Sequence, residues 1–233
     1  MRAMILAAGR GERMRPLTDT CPKPLLSVRG QTLIAWHLTA LARAGVREVV
    51  INTAHLEDQF PAALGDGSRW GLTLHYAMEG RLYGGALETA GGVASALPLL
   101  APQGHEPFWV VSADIYAPGF TFDPALAAAF AAGTDEAWLW VVPNPAFSPG
   151  GDFALQGDRL VRAAQPRPYT YANFALMRPA LVAGVAPGQR AALAPCLFRA
   201  ADAGRLGGLV LTSEWHNVGT PAQLAALNAG AAA

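Results

Sequence analysis

Ala7-Ala8-Gly9-Arg10-Gly11-Glu12-Arg13-Met14-Arg15-Pro16-Leu17-Thr18, with Lys23 just beyond it, is the stretch whose reading decides the fold. Upstream, Ala3-Met4-Ile5-Leu6 is apolar and short enough for one buried strand. Downstream, Pro22-Lys23-Pro24 leads to a helical pattern from about residue 32. The stretch is therefore a loop leaving a strand. Two glycines two apart let the backbone turn tightly and bring its N–H groups near an anion, while Arg10, Arg13, Arg15 and Lys23 add positive charge over the same few residues. That combination suits phosphates.

Working outward, Leu33, Ile34, Trp36, Leu38 and Leu41 give an apolar helical face ended by Gly45, and Glu48-Val49-Val50-Ile51-Asn52 reads as a strand. Such a strand, loop, helix and strand unit closes with parallel strands and a right-handed crossover. It places ligands at the carboxyl ends of the strands, where the glycine loop lies. The pattern continues with a short helix at 56–64, a turn at Gly65-Asp66-Gly67-Ser68, an alternating strand at 72–76, a glycine-rich mobile loop at 79–86 and a helix at 87–97. Phe108-Trp109-Val110-Val111-Ser112 predicts a central strand that delivers Asp114 to the same end as the loop. A carboxylate there suits metal binding, or else caps the next turn. After a helix at 125–132 and a strand at 138–142, short alternating segments at 153–155, 159–161 and 169–177 predict antiparallel strands of a small acceptor-side lobe. Helices at 189–203 and 222–228 and a frayed alanine-rich tail follow.

The 233 residues are 52% hydrophobic and 15% charged, which excludes general disorder and allows a sizeable core in one domain. The formal net charge is zero, so there is no electrostatic case for nucleic-acid binding and the cationic loop reads as a local device. Cys21 and Cys196 match no metal spacing and no disulfide framework. The apolar start stops at Gly9-Arg10, too early for a secretory core, and no apolar stretch is long enough to span a bilayer. A cytoplasmic protein without membrane contact, a monomer or small homo-oligomer, is expected. Of the 17 lysine and arginine residues, all but Lys23 are arginine; that fits a position needing a compact ammonium, or chance in an arginine-biased chain.

The loop lacks the third glycine of the dinucleotide fingerprint, because Met14 stands there, and it lacks the Gly-Lys-Ser/Thr ending of a P-loop. It resembles instead the signature of the sugar-1-phosphate nucleotidyltransferases: Leu6-Ala7-Ala8-Gly9-x-Gly11-x-Arg13-Met14-x-Pro16-Leu17-Thr18 followed by Pro22-Lys23-Pro24-Leu25. Further matches lie at Asn52, Gly65-Asp66-Gly67-Ser68, Leu87-Glu88-Thr89-Ala90-Gly91-Gly92, Ala113-Asp114 and Trp215-x-x-Val218-Gly219-Thr220. Within that family, the compact length and the Leu-Glu-Thr-x-Gly-Gly segment are most similar to the N-acetylmuramate-1-phosphate uridylyltransferases of cell-wall (peptidoglycan) recycling. Guanylyltransferases of mannose 1-phosphate or of other hexose or heptose 1-phosphates are the alternative.

The resemblance implies an α/β, Rossmann-like three-layer αβα fold with a mixed, mostly parallel central sheet. Residues 1–142 would serve mainly the nucleotide and 143–229 mainly the sugar phosphate. It implies Mg²⁺-dependent transfer of a nucleotidyl group from a nucleoside triphosphate, UTP first, to a sugar 1-phosphate, N-acetylmuramate 1-phosphate first, with release of pyrophosphate. The backbone of Gly9 and Gly11 would cradle the triphosphate, Arg13 would hold the β- and γ-phosphates, Lys23 would neutralise the α-phosphate, and Asp114 would bind Mg²⁺. Leu6, Ala8, Glu79 and Gly92 would surround the base, a solvated loop carboxylate being the other reading of Glu79. Gly151, Asp152, Arg167 and Asn173 fall where relatives contact the acceptor.

The chain departs from the family twice. Residues 81–86 look like an insertion before Leu87, which bears on the choice of uracil over guanine. Asn217 stands where the family has a second metal-binding Asp; an amide oxygen can ligate Mg²⁺ but brings no charge. Asn217 is thus either a weaker ligand or a structural residue in a nucleotide-sugar-binding protein with little turnover.

Overall fold

The computed structural model describes residues 1–162 and 165–230; the expected tail beyond 230 lies outside them. In chain order the elements are β1 (Arg2–Leu6), the small hairpin β2 (Ser27–Val28) and β3 (Gln31–Thr32), α1 (Leu33–Arg43), β4 (Glu48–Thr53), α2 (Gln59–Leu64) and β5 (Thr73–Met78). Then come α3 (Glu79–Tyr83), α4 (Glu88–Leu100), β6 (Phe108–Ser112), β7 (Ile115–Tyr116), α5 (Pro124–Ala132) and β8 (Ala137–Pro143). The chain closes with β9 (Ala154–Gln156), β10 (Arg159–Val161), β11 (Tyr169–Met177), α6 (Ala194–Asp202), β12 (Leu206–Val210), β13 (His216–Asn217) and α7 (Pro221–Ala229).

Nine strands form one sheet in the order β5-β4-β1-β6-β11-β8-β12-β10-β9, in which β10 and β11 run against the other seven. Because side chains alternate across a strand, β1 sends Ala3 and Ile5 to one face and Met4 to the other. Helices α1, α2 and α5 cover the first face with Ile34, Leu38, Phe60 and Phe130; α4 and α6 cover the second with Val93, Ala94, Leu197 and Ala200. Burial on both faces is what makes β1, β4 and β6 continuous apolar runs. This is the three-layer, mostly parallel arrangement read from the sequence.

The antiparallel strands expected after Pro143 are present, and they continue the main sheet. β11 lies at its centre between β6 and β8, and β9 and β10 form its far edge. A register shift between Tyr171 and Ala175 bends β11, with Asn173 left-handed at φ 64°. Three local expectations change. Residues 79–83 form a helical turn ended by left-handed Gly84, so the expected open loop is short. The helix expected from 189 begins at Ala194, because Ala191 is engaged by the first turn of α4: its N–H donates to Leu87 O, and its carbonyl accepts from Ala90 and Gly91. The helix expected from residue 56 begins at Gln59.

A third, smaller cluster matters most for function. Met14 is fully buried among Val28, Leu33, Tyr116, Val218, Leu224 and Leu227. The residue that replaces the third glycine thus nails the first loop to β7 and to the segment after β13.

Candidate active site

The loop after β1 is stiffer than its glycines suggest. Gly11 is left-handed (φ 67°), and a Cβ there would stand 3.1 Å from Thr18 Cγ2 and 3.2 Å from Lys23 Cβ. The Thr18 hydroxyl donates to Gly11 O at 2.9 Å, and three 3₁₀ turns, Glu12–Met14, Leu17–Asp19 and Lys23–Leu25, fold the chain back on itself. Of the four cations read from the sequence, two leave the site. Arg15 pairs with Asp19 at 2.7 Å, and Arg10 packs against His55 with Asp19 at 3.7 Å. Arg13 and Lys23 remain on the wall of a cleft of about 460 Å³, lined also by Leu6, Ala8, Gly9, Gly11, Asp114 and Gly219. Around Gly9 a Cβ would meet nothing within 4 Å, so its backbone faces open space in that cleft.

Lys23, only 8% exposed, donates from Nζ to Asp114 Oδ2 at 2.8 Å. Asp114 sits between β6 and β7. The two-residue ladder of β7 with β13 pairs Ile115 with Asn217, and Val218 N–H donates to Asp114 O. Asp114 and Asn217 are therefore held side by side by backbone. The Asn217 Oδ1 is buried and accepts no hydrogen bond among the described residues, an orphan acceptor of the kind a cation satisfies. The residue lines a separate cavity with Phe147 and Trp215, whereas Asp114 lines the main cleft. Arg13 lies against Gly219, where a Cβ would stand 3.3 Å from its Nη2. Among the described residues no group of three or more His, Cys, Asp and Glu side chains could hold a metal by itself. Any cation here would complete its shell with phosphate oxygens and water.

Of the residues expected around a base, Leu6 and Ala8 line the cleft, whereas Glu79 and Gly92 do not and stand behind Asn52 of its wall. Glu79 is 1% exposed; Oε1 accepts from Asn52 Nδ2 at 2.7 Å and Oε2 from Leu87 N–H at 2.8 Å. Burial pushes its carboxyl up, opposed by those two donors. Glu79 is thus neither solvated nor free to face a base. Gly92 leaves room for this pair, since a Cβ there would stand 2.6 Å from Glu79 Oε1 and 2.8 Å from Asn52 Nδ2.

Glu88 and Thr89, at the start of α4, line both the cleft and a second cavity of about 450 Å³. Asp152 and Asn173 line that second cavity with Tyr171, and Asp152 Oδ2 accepts from Tyr171 N–H at 2.9 Å. Gly151 and Arg167 do not reach its wall. Gly151 is a left-handed turn residue whose Cβ would collide with Arg167 O, and Arg167 Nε is buried with no hydrogen-bond partner among the described residues. Sequence reading missed Glu88, Thr89, Ser112 and Arg190 as lining residues of the cleft. Glu88 and Arg190 pair at 3.0 Å across 102 positions, which no local pattern reveals. The signal at hand was Asn52, a polar residue at the end of a buried strand. Cys21 and Cys196 carry no poised thiolate, since burial pushes both thiols up.

Residues 2–148 match the family model described as nucleotidyl transferase. An N-acetylmuramate alpha-1-phosphate uridylyltransferase of Neisseria meningitidis serogroup B is 46% identical over 96% of this chain and 95% of its own length. One of Caulobacter vibrioides is 35% identical over 96% and 94%. The solved inositol-1-phosphate CTP transferase of T. maritima superposes with a TM-score of 0.75 at 19% identity, over 99% of this chain and 95% of that one, and shares the fold. With the glycine loop, the lysine and the aspartate converging on one cleft, the chain belongs to the nucleotidyl transferase family and is a sugar-1-phosphate nucleotidyltransferase.

Proposed function

We propose that the enzyme transfers a uridylyl group from UTP to N-acetylmuramate 1-phosphate and releases pyrophosphate, in the cytoplasm and with Mg²⁺. The observation that carries the chemistry is the convergence of Arg13, Lys23 and Asp114 on one cleft beside an open glycine backbone. The choice of base and sugar rests on the similarity to the Neisseria and Caulobacter enzymes along nearly the whole chain.

An oxygen of the sugar phosphate attacks the α-phosphorus in line; the new P–O bond forms as the bond to the bridging α–β oxygen breaks, and the electron pair leaves on pyrophosphate. The attacking oxygen is already ionised, so no general base is required. The residues position groups and stabilise charge. Gly9 and Gly11 bring backbone close to the triphosphate. Lys23, oriented by Asp114, meets the charge that builds on the α-phosphate, and Arg13 meets the leaving pyrophosphate. Asp114 and the orphan Oδ1 of Asn217 would hold Mg²⁺, which would supply positive charge to offset that of the reacting phosphates. Asp152 and Asn173 would meet the sugar in the second cavity, which joins the cleft at Glu88 and Thr89.

Incubation with UTP, GTP, CTP or dTTP and a panel of sugar 1-phosphates, followed by pyrophosphate release, tests this reading. UTP with N-acetylmuramate 1-phosphate is the expected best pair. A different best pair rejects the base or sugar assigned here, and no release from any pair by folded protein rejects the whole reading.

A further inference from the structure

Behind the cleft wall runs a buried chain of hydrogen bonds with a fixed direction. At one end Ala7 N–H donates to Asn52 Oδ1 at 2.9 Å; in the middle Asn52 Nδ2 donates to Glu79 Oε1 at 2.7 Å; at the other end Leu87 N–H donates to Glu79 Oε2 at 2.8 Å. Both ends are backbone N–H groups, which can only donate. The Asn52 amide is thereby oriented, and residue 79 must accept at both of its oxygens. Among uncharged side chains of this length only glutamine fits, and its amide would turn a donor toward another donor. A carboxylate is the group that satisfies the chain, and all its members are buried.

The ends of the chain are the two segments that frame the nucleotide side of the cleft. Ala7 opens the glycine loop, and Leu87 precedes Glu88 and Thr89, which line the same cleft. Gly92 has no side chain where one would collide with the Asn52–Glu79 bond.

We propose that Glu79 is a positioning residue: through Asn52 and Leu87 its carboxylate sets the spacing between the phosphate loop and the start of α4, and so the affinity for the nucleoside triphosphate, without touching the nucleotide. This rests on the reading that the cleft takes a nucleoside triphosphate.

The chain prescribes its own test. Glu79→Gln leaves two donors facing each other, and Asn52→Asp sets two carboxylates against each other. When both substitutions are combined, the carboxylate now at position 52 accepts from Ala7 N–H and from the amide now at position 79. The oxygen of that amide accepts from Leu87 N–H, so every bond returns with the charge moved to the neighbouring member. With the dissociation constant of Mg·UTP measured by calorimetry on the folded fraction, each single variant is expected to bind about tenfold more weakly and the double variant within about threefold of the parent. A double variant weaker than that, or a Glu79→Gln protein that binds like the parent, overturns the proposal. So does recovery of the melting temperature alone with affinity unmoved throughout, which would make the chain a purely structural brace. If one single variant fails to fold, the other decides; if neither folds and the double variant binds like the parent, the chain is a purely structural brace and the proposal is overturned. If the parent prefers GTP, CTP or dTTP, that triphosphate becomes the probe and only the base assigned above fails; a parent that binds none of the four overturns both readings.

Discussion

Lys23 Nζ and Asp114 Oδ2 stand 2.8 Å apart, joined across 91 positions of sequence, at the carboxyl end of the central strands. The ammonium is almost wholly enclosed while the carboxylate stays a third exposed to the cleft. The pair fixes the lysine ammonium at the wall of the cleft through one Asp114 oxygen only.

Lys23→Ala should lower turnover by about two orders of magnitude or more, the size expected when a preorganised charge is removed. Lys23→Arg should not restore it, because a planar fork does not fit a pocket closed by Gly11, where even a Cβ would stand 3.2 Å from Lys23. Initial rates of pyrophosphate release decide both, and near-parent rates would remove Lys23 from the reaction.

Arg13→Ala should cost a similar factor, about a hundredfold, and should also raise the KM for pyrophosphate in the reverse reaction. An unchanged pyrophosphate KM would show that Arg13 does not hold the leaving group.

Asn217→Asp puts a charge on an oxygen that is buried and without a hydrogen bond. The Mg²⁺ concentration giving half-maximal rate should fall by about tenfold, since ligand charge sets affinity for a hard cation. No change in that concentration would assign Asn217 to structure alone.

Met14→Ala empties a site at the centre of the cluster that joins the first loop, β7 and α7. Urea unfolding should show a loss of about 2–5 kcal/mol. A loss under about 1 kcal/mol would mean that the loop is not anchored there.

His37 is buried, its Nε2 2.8 Å from Ile115 O. Burial lowers its pKa from 6.5 to about 4, against the opposing pull of the Ile115 carbonyl and the Asp114 charge. The unfolded chain therefore binds the extra proton first: the stability this neutral ring allows is complete above pH 6.5 and is lost as the pH falls toward 4. Between pH 7 and pH 5 the loss should be about 2 kcal/mol. His37→Gln, which keeps a donor but does not titrate, should flatten that part of the profile; an unchanged slope would acquit His37.

The order of strands and helices along the first half of the chain was legible because each element buries a continuous or periodic apolar face. The glycine loop was legible because glycine spacing, cations and the neighbouring prolines all lie within a few residues of one another. Met14 was visible only as a failed glycine. Its burial against Val218 and Leu227 depends on segments two hundred residues away. Arg10 and Arg15 counted as phosphate cations until Asp19 and His55 were found to occupy them.

By itself, then, the sequence determined the local chemistry: a cationic glycine loop, a lone lysine, an aspartate at a strand end, and an amide where the resembling family has a second carboxylate. Only the tertiary structure decided which of these groups meet and which way each hydrogen bond runs. Glu79 shows the difference. From the sequence it was a carboxylate in a glycine-rich loop, free to face a base or solvent. Folding surrounds it with two donors, one from a residue 27 positions before it, and withdraws it from the cleft. The reason is physical: a buried carboxylate must find partners, and its partners are brought within reach only when β4, β5 and α4 pack together.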